Sequence, residues 1–256
     1  MLFYLRVMTK LLSNSAIHNN YSRRQAYDSG FQPQQQPVVA LPQGQHLQEE
    51  ALQLDFIRAA FQQPLQWELE ALYTDLHRDP LATTKPFSRA AVFMALVQRP
   101  SGVNIIFTRR ADHLFNHAGE ICFPGGRAEE SDKDEIATAL RETQEEIGIA
   151  ADYVALMGTH PGFVTTSRFL MTPVIGEVKA GFTITPDPSE VAEVFEVPLE
   201  VLMDPSQHRL HQASFQGKMH RYFTIVWQSR VIWGATAGLV RNFYRFLSAA
   251  QKEMLS

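Results

Sequence analysis

Short unbroken apolar runs and stretches with apolar residues every three or four positions take turns along this chain. Ala90 to Val97 is a run of the first kind, and Val103 to Thr108 follows it across Arg99-Pro100-Ser101-Gly102. The pair reads as a buried strand, a turn and a partner strand. Tyr153 to Thr159, Phe169 to Val178, Val191 to Val197, Arg221 to Trp227 and Arg230 to Trp233 read as further strands. Helical spacing recurs in three places. From Gln48 to Asp79, Leu52, Phe56, Ala59 and Ala60 fall on one face and Leu65, Leu69 and Leu72 on another, which predicts two short helices. Ile136, Leu140, Thr143 and Ile147 form a second stripe, with Asp132 as the expected N-cap, Glu135 as its capping-box partner and Gly148 as the stop. Thr236 to Ala250 closes the chain as a helix with Leu239, Val240, Phe243, Phe246 and Leu247 inward. Strands flanking one long helix, with a second helix at the end, predict an α/β class fold: an α/β/α sandwich around a mixed β-sheet, with an N-terminal helical extension.

Composition divides the chain into three parts. Residues 1–45 are rich in Gln, Asn, Ser and Pro and read mainly as a disordered lead-in; residues 46–87 form the helical lead-in; residues 88–250 form the body. Met1 to Tyr27 carries Arg6, Lys10, Arg23 and Arg24 without an acidic residue, a faint likeness to an organelle transit peptide beside the simpler cytoplasmic expectation. The 256 residues carry a net charge of −4, which gives no basic footprint for nucleic acid. No apolar run approaches the length of a membrane span. Cys122 is the one cysteine, so no internal disulfide forms, and its apolar neighbours Ile121 and Phe123 make it a small core residue.

The candidate chemistry lies in Gly125-Gly126-Arg127-Ala128-Glu129-Glu130-Ser131-Asp132 and in Arg141-Glu142-Thr143-Gln144-Glu145-Glu146-Ile147-Gly148-Ile149. Glu142, Glu145 and Glu146 stand at i, i+3 and i+4, so a helix projects them from one side. Carboxylates so close repel unless a hard cation neutralises them, and an oxygen-only set suits Mg²⁺ or Mn²⁺ with substrate phosphates completing the shell. A solvated acidic face is the bland alternative for such a helix. The double-glycine turn before it and Arg141 beside it favour a site.

These residues resemble the signature of the Nudix hydrolases, which cleave nucleoside diphosphates linked to another moiety. Three departures stand out. Asp132 occupies the place of the expected Glu, eight residues rather than seven separate it from Arg141, and Thr143 replaces an aliphatic residue. Upstream, Phe107-Thr108-Arg109-Arg110-Ala111-Asp112-His113-Leu114-Phe115-Asn116-His117-Ala118-Gly119-Glu120-Ile121-Cys122-Phe123-Pro124 is similar to a second motif, that of the coenzyme A pyrophosphatase branch. Thr108, Arg110, Leu114, His117, Gly119, Phe123 and Pro124 match it, whereas Phe107, Ala111 and Glu120 depart. Val191 to Leu199 and Trp233 to Gly238 also look like that branch.

The resemblance implies metal-dependent hydrolysis of coenzyme A or its acyl derivatives to 3′,5′-ADP and 4′-(acyl)phosphopantetheine. Glu142 and Glu146 are then the expected metal ligands, with Glu145 a third ligand or a water-orienting group and the Gly126 carbonyl a further donor. Arg141, Glu142 and Glu145 are the expected catalytic residues, and Glu190 or Glu193 is a candidate base. Arg109, Arg110 and His117 are expected to meet substrate phosphates, and Phe163 to stack on adenine. The expected partner is a small-molecule substrate, with no nucleic acid and no membrane, and a homodimer is left open. Two other readings stay open. One is a hydrolase of NADH, ADP-ribose or a modified nucleotide; the other is a non-catalytic nucleotide-binding member.

Overall fold

The computed structural model describes residues 31–40, 44–70, 87–165, 168–215 and 218–255. Its framework is a mixed sheet built on the run that begins at Ala90. Strand β2 (Ser88–Arg99) pairs antiparallel with β3 (Gly102–Arg110) and parallel with β8 (Phe169–Val178). The short β4 (Ile121–Cys122) and β9 (Val191–Pro198) extend the sheet from β3, and β5 (Gly125–Arg127) pairs with β2. On β8 lie β6 (Val154–Thr159) and β7 (Phe163–Val164). A second, antiparallel sheet has the order β1 (Val38–Ala40), β10 (Arg209–Phe215), β11 (Lys218–Trp227), β12 (Arg230–Trp233).

Alternation along β2 divides the interior. Val92, Met94 and Leu96 enter the larger core, and Ala91, Phe93, Ala95 and Val97 enter the smaller one. A strand covered on both faces reads as an unbroken apolar run, the pattern seen from Ala90 to Val97. Helix α1 (Leu54–Ala60) contributes Ile57 to the larger core. Helix α2 (Glu135–Ile147) closes the smaller core with Ala139 and Ile147. After β9 comes the short α3 (Leu199–Leu202), and α4 (Gly234–Met254) seals the larger core with Val240, Phe243 and Leu247. The sheet therefore lies between α2 on one side and α4 with α1 on the other, the α/β sandwich expected.

Several local expectations need correction. The N-cap of α2 is Asp134, whose carboxylate accepts from the Ala137 N–H at 2.7 Å, not Asp132. The buried face of α2 runs through Ala139, Thr143 and Ile147, while Leu140 stays half-exposed. Thr143 is tolerated there because its hydroxyl donates to the Ala139 carbonyl at 2.6 Å. In the lead-in, α1 ends before Pro64, which removes a donor and disfavours helix at the residue before it. Residues 64–70 run without helix, although Leu65 and Trp67 still pack on the larger core, and Leu72 lies outside the described residues.

Part of the expected disordered stretch is built into the body. Residues 33–35 form a 3-10 turn, and β1 pairs with β10 at Val38–His211 and Ala40–Leu210. The transit-like residues Met1 to Tyr27 lie outside the described residues.

Candidate active site

The sequence Pro124-Gly125-Gly126 brings main chain against β2 and makes room for two carboxylates from α2. Across the β2–β5 pair, Gly125 faces Val92 and Gly126 faces Ala91. A Cβ on Gly125 would stand 2.6 Å from the Val92 Cα. One on Gly126 would stand 2.5 Å from a carboxylate oxygen of Glu142. The second glycine is therefore the space Glu142 occupies. The Gly125 N–H donates to a Glu146 carboxylate oxygen at 3.1 Å, so both acids meet at this turn.

Glu146 is 3 % exposed. Burial pushes its carboxyl up to about 7, aided by the charges of Glu142 and Glu190 and opposed by the Gly125 hydrogen bond and by Arg110. Burial likewise raises Glu142, against the pull of Arg141 and with the repulsion of Glu145 and Glu190. Two acids whose carboxyls are both pushed up by burial, beside a backbone turn and with a third within electrostatic reach, form an oxygen-only set short of positive charge. That donor chemistry fits a hard divalent cation.

Glu145 departs from the expectation of three carboxylates converging. Its side chain is 59 % exposed and accepts from Arg141 at 2.8 Å, as their i,i+4 spacing allows. Among the described residues, no three acidic, histidine or cysteine side chains gather as a ready-made cage. Arg141 is the hub of the outer layer. It forks onto both Asp132 oxygens at 3.0 and 2.9 Å, reaches Glu142 at 3.0 Å and donates to the Arg127 carbonyl at 3.1 Å. Asp132 also accepts from the Glu129 N–H and the Thr138 hydroxyl. The Arg141 fork, with those further bonds, holds its carboxyl well below the usual range. The shorter acid and the longer spacing thus end in a tight Asp132–Arg141 pair that fixes the helix against the turn.

The second motif lies next door. Among the described residues the buried Arg110 Nε has no hydrogen-bond partner, and the Arg110 charge bears on both His117 and Glu146, linking the β3–β4 loop to the acidic turn. His117 accepts a left-handed φ of 57° and pairs with Glu120 at 3.0 Å; that hydrogen bond raises its pKa. Arg109 pairs with Asp112 at 2.6 Å and lies 3.9 Å from Glu193. Glu193 is paired with Arg230, so of the two candidate bases only Glu190 acts on the acidic pair.

Phe163 does not stack on a ligand. It is 1 % exposed on β7 within the larger core. His160 is likewise interior, among Phe61, Trp67, Phe243 and Phe246, and burial pushes its pKa down to about 3. Burial of the Cys122 thiol raises it to about 11, which leaves it inert near neutrality.

Sequence reasoning missed a cavity of about 760 Å³ beside His117, bounded also by Phe31, Phe115, Arg230 and Trp233. Phe115, 69 % exposed, and His117 lie within the second motif and Trp233 opens the segment Trp233 to Gly238, but Phe31 belongs to no motif and no sequence spacing joins these stretches around one cavity.

A glycine turn that holds a buried acidic pair from a capped helix suits a divalent cation and, with it, the hydrolysis of phosphate compounds. Residues 88–223 match the NUDIX domain family, and the chain belongs to it as a hydrolase of nucleoside diphosphate derivatives. Proteins called uncharacterized Nudix hydrolase NudL from Yersinia pestis (strain Pestoides F) and Yersinia pseudotuberculosis (serotype O:1b, strain IP 31758) are each 36 % identical over 160 residues, covering 62 % of this chain and 80 % of theirs. A solved MutT protein from Methanosarcina mazei is 17 % identical, with 67 % of this chain and 98 % of that one covered at a TM-score of 0.41. Among the described residues, no helix is long and apolar enough to cross a membrane.

Proposed function

We propose that this enzyme hydrolyses the diphosphate of coenzyme A or its acyl derivatives. Attack of water on a phosphorus atom breaks a phosphoanhydride bond and releases 3′,5′-ADP and 4′-(acyl)phosphopantetheine. The single observation that carries the reading is Arg110, whose charge joins the His117 loop of the second motif to the Glu142–Glu146 turn of the first. Glu142 and Glu146 would hold Mg²⁺ or Mn²⁺, with the Gly126 carbonyl as a further donor. The ion supplies charge neutralisation at the diphosphate and a more acidic water. Glu190 takes the proton of the attacking water, a role supported by its reach to both acids. Arg141, pinned by Asp132, holds Glu142 in place, and Glu145 steadies Arg141 from outside. Arg110 and His117 face the substrate phosphates.

One observation favours a second reading. Arg109 and Arg230 are already paired with Asp112 and Glu193, which leaves fewer cations for the additional 3′-phosphate of coenzyme A. A substrate without it, such as NADH or ADP-ribose, asks for less charge. Turnover of coenzyme A, acetyl-coenzyme A, NADH and ADP-ribose, each titrated with Mg²⁺ and Mn²⁺, tests both. Release of 3′,5′-ADP with the highest kcat/KM on a coenzyme A substrate is the expected result. A tenfold preference for NADH or ADP-ribose, on the order of 1.4 kcal/mol in transition-state binding, establishes the second reading instead.

A further inference from the structure

The segment that joins β8 to β9 crosses the C-terminal end of α2 before it returns to the sheet. Two of its backbone N–H groups close that helix: Thr185 donates to the Ile147 carbonyl and Asp187 to the Glu146 carbonyl, each at 2.9 Å. The last carbonyls of a helix lack partners within it, so a loop that supplies donors is held there. Gly148 lets the loop approach. It takes a left-handed φ of 76°, and a Cβ on it would stand 3.0 Å from the Thr185 Cβ. Glu146 therefore works in two directions. Its carboxylate meets the glycine turn and its carbonyl holds the loop.

Beyond that anchor the loop folds into a tight turn centred on Asp187. The Asp187 carbonyl accepts from the Glu190 N–H at 3.1 Å and from the Val191 N–H at 2.8 Å. The Asp187 carboxylate accepts from the Ser189 hydroxyl at 2.7 Å and from the Ser189 N–H at 2.8 Å, and these two bonds hold its carboxyl below the usual range. Pro188 between them fixes its own φ. Two further bonds reach the turn from β3 and the loop after it. The Ala111 N–H donates to the Glu190 carbonyl at 2.8 Å, and His113 Nε2 meets the Ser189 carbonyl at 3.0 Å. An exposed turn ordinarily leaves such groups to water. This one is fixed on both sides.

What the turn carries is Glu190. Residues 187–190 are all exposed, so no burial orients the Glu190 side chain, and the bonded main chain sets where it starts. The Glu190 charge bears on both Glu142 and Glu146. A group that takes a proton must stand within hydrogen-bond reach of it, and a displacement on the order of 1 Å is costly.

We propose that Asp187 is the positioning residue of Glu190: by gathering the Ser189 N–H and hydroxyl it sets the turn that aims Glu190 at the acidic pair, and His113 clamps that turn from the β3–β4 loop. This inference rests on the reading of Glu190 as the base and is tested apart from it. Asp187 touches neither the substrate nor the reacting atoms. Its loss therefore lowers kcat and leaves KM and cation affinity in place.

The experiment uses the full chain with saturating Mg²⁺, on whichever of coenzyme A, NADH and ADP-ribose turns over fastest, and a separate titration with Mn²⁺ in the absence of substrate. Asp187→Ala removes the acceptor, Asp187→Asn keeps one, and Glu190→Gln removes the base. Asp187→Ala should lower kcat by about tenfold at unchanged KM, and Asp187→Asn should recover most of that loss. His113→Ala should show a smaller loss of the same kind. Glu190→Gln should lower kcat by about a hundredfold. Adding Asp187→Ala to Glu190→Gln should then cost nothing more, because nothing is left to position. Mn²⁺ affinity should match wild type in both Asp187 variants. Wild-type kcat in Asp187→Ala, an equal loss in Asp187→Asn, or the full tenfold loss repeated in the Glu190→Gln background overturns the inference and leaves Glu190 as the base. Weakened Mn²⁺ binding in Asp187→Ala overturns it too, since the turn then supports α2 rather than the base. Wild-type kcat in Glu190→Gln, or no turnover of any of these compounds, overturns the reading beneath the inference and the inference with it.

Discussion

The acidic turn and the aromatic cavity adjoin each other but are built on opposite terms. At the turn, two carboxylates and two glycines drawn from residues 125–146 interlock within a few ångströms against β2, and one added methyl group has nowhere to go. At the cavity, walls from four distant stretches of chain leave about 760 Å³ of space, and its ions pair with each other. A site that must hold a charged reaction centre needs the first construction. Changes at the turn should therefore act on kcat more steeply than changes at the cavity.

The largest effect is expected from Glu146→Gln, which keeps size and removes the buried charge. It should lower kcat by about a thousandfold with little change in the circular dichroism spectrum. Gly126→Ala follows. Its Cβ would displace the Glu142 carboxylate, and a shift on the order of 1 Å at a reacting group costs about a hundredfold in kcat. Asp132→Asn weakens the fork onto Arg141 without touching the turn; about tenfold in kcat and about 2 kcal/mol in urea-unfolding stability are expected. A larger drop in kcat for Asp132→Asn than for Gly126→Ala would reverse the order of importance argued from contact.

Acid probes the regions away from the turn. His160 and His208 are both buried neutral, with pKa values pushed down to about 3 and about 4 from 6.5. Above 6.5 neither binds a proton in either state, so their contribution is flat. Below it the unfolded chain takes up protons that the folded one refuses, and stability falls as pH falls toward 4. The slope is about 1.4 kcal/mol per pH unit for each histidine. The buried Glu146 carboxyl, pushed up to about 7, works the other way over the same range, so the decline is read as a difference. In urea unfolding at pH 7.5, 6 and 5, His160→Phe should lose less stability toward acid than wild type, by up to about 1.4 kcal/mol per pH unit below 6.5. The smallest effect belongs to Glu145→Gln. Its exposed pairing with Arg141 predicts less than about a threefold change in kcat.

The contrast also explains what the sequence discloses. The turn, the helix and its acids span residues 125–148, so glycine pair, spacing and periodicity all speak within one window. Even there, the spacing that puts Glu145 beside its neighbours also puts it four residues after Arg141, and it is this exposed i,i+4 pair that the structure forms, leaving Glu145 out of the buried set. It also placed the cap at Asp132, because either aspartate satisfies the local pattern and only the Arg141 fork distinguishes them. The docking of residues 33–40 was invisible for a different reason. Its bonds join residues 175 and 189 positions apart, and β10 hides its inward face behind a buried histidine, His211, where an apolar residue would have signalled a strand. Phe163 illustrates the same limit in reverse, a loop-like aromatic that short pairing with β8 draws into the core.

Manganese binding followed by electron paramagnetic resonance, in the full chain and three single variants, tests the central claim most directly. Wild type and Glu145→Gln should bind the ion alike, while Glu142→Gln and Glu146→Gln each lose most of that affinity. Equal binding by wild type and Glu146→Gln, or a loss in Glu145→Gln as deep as that in Glu146→Gln, would contradict a cation held by the buried pair at the glycine turn.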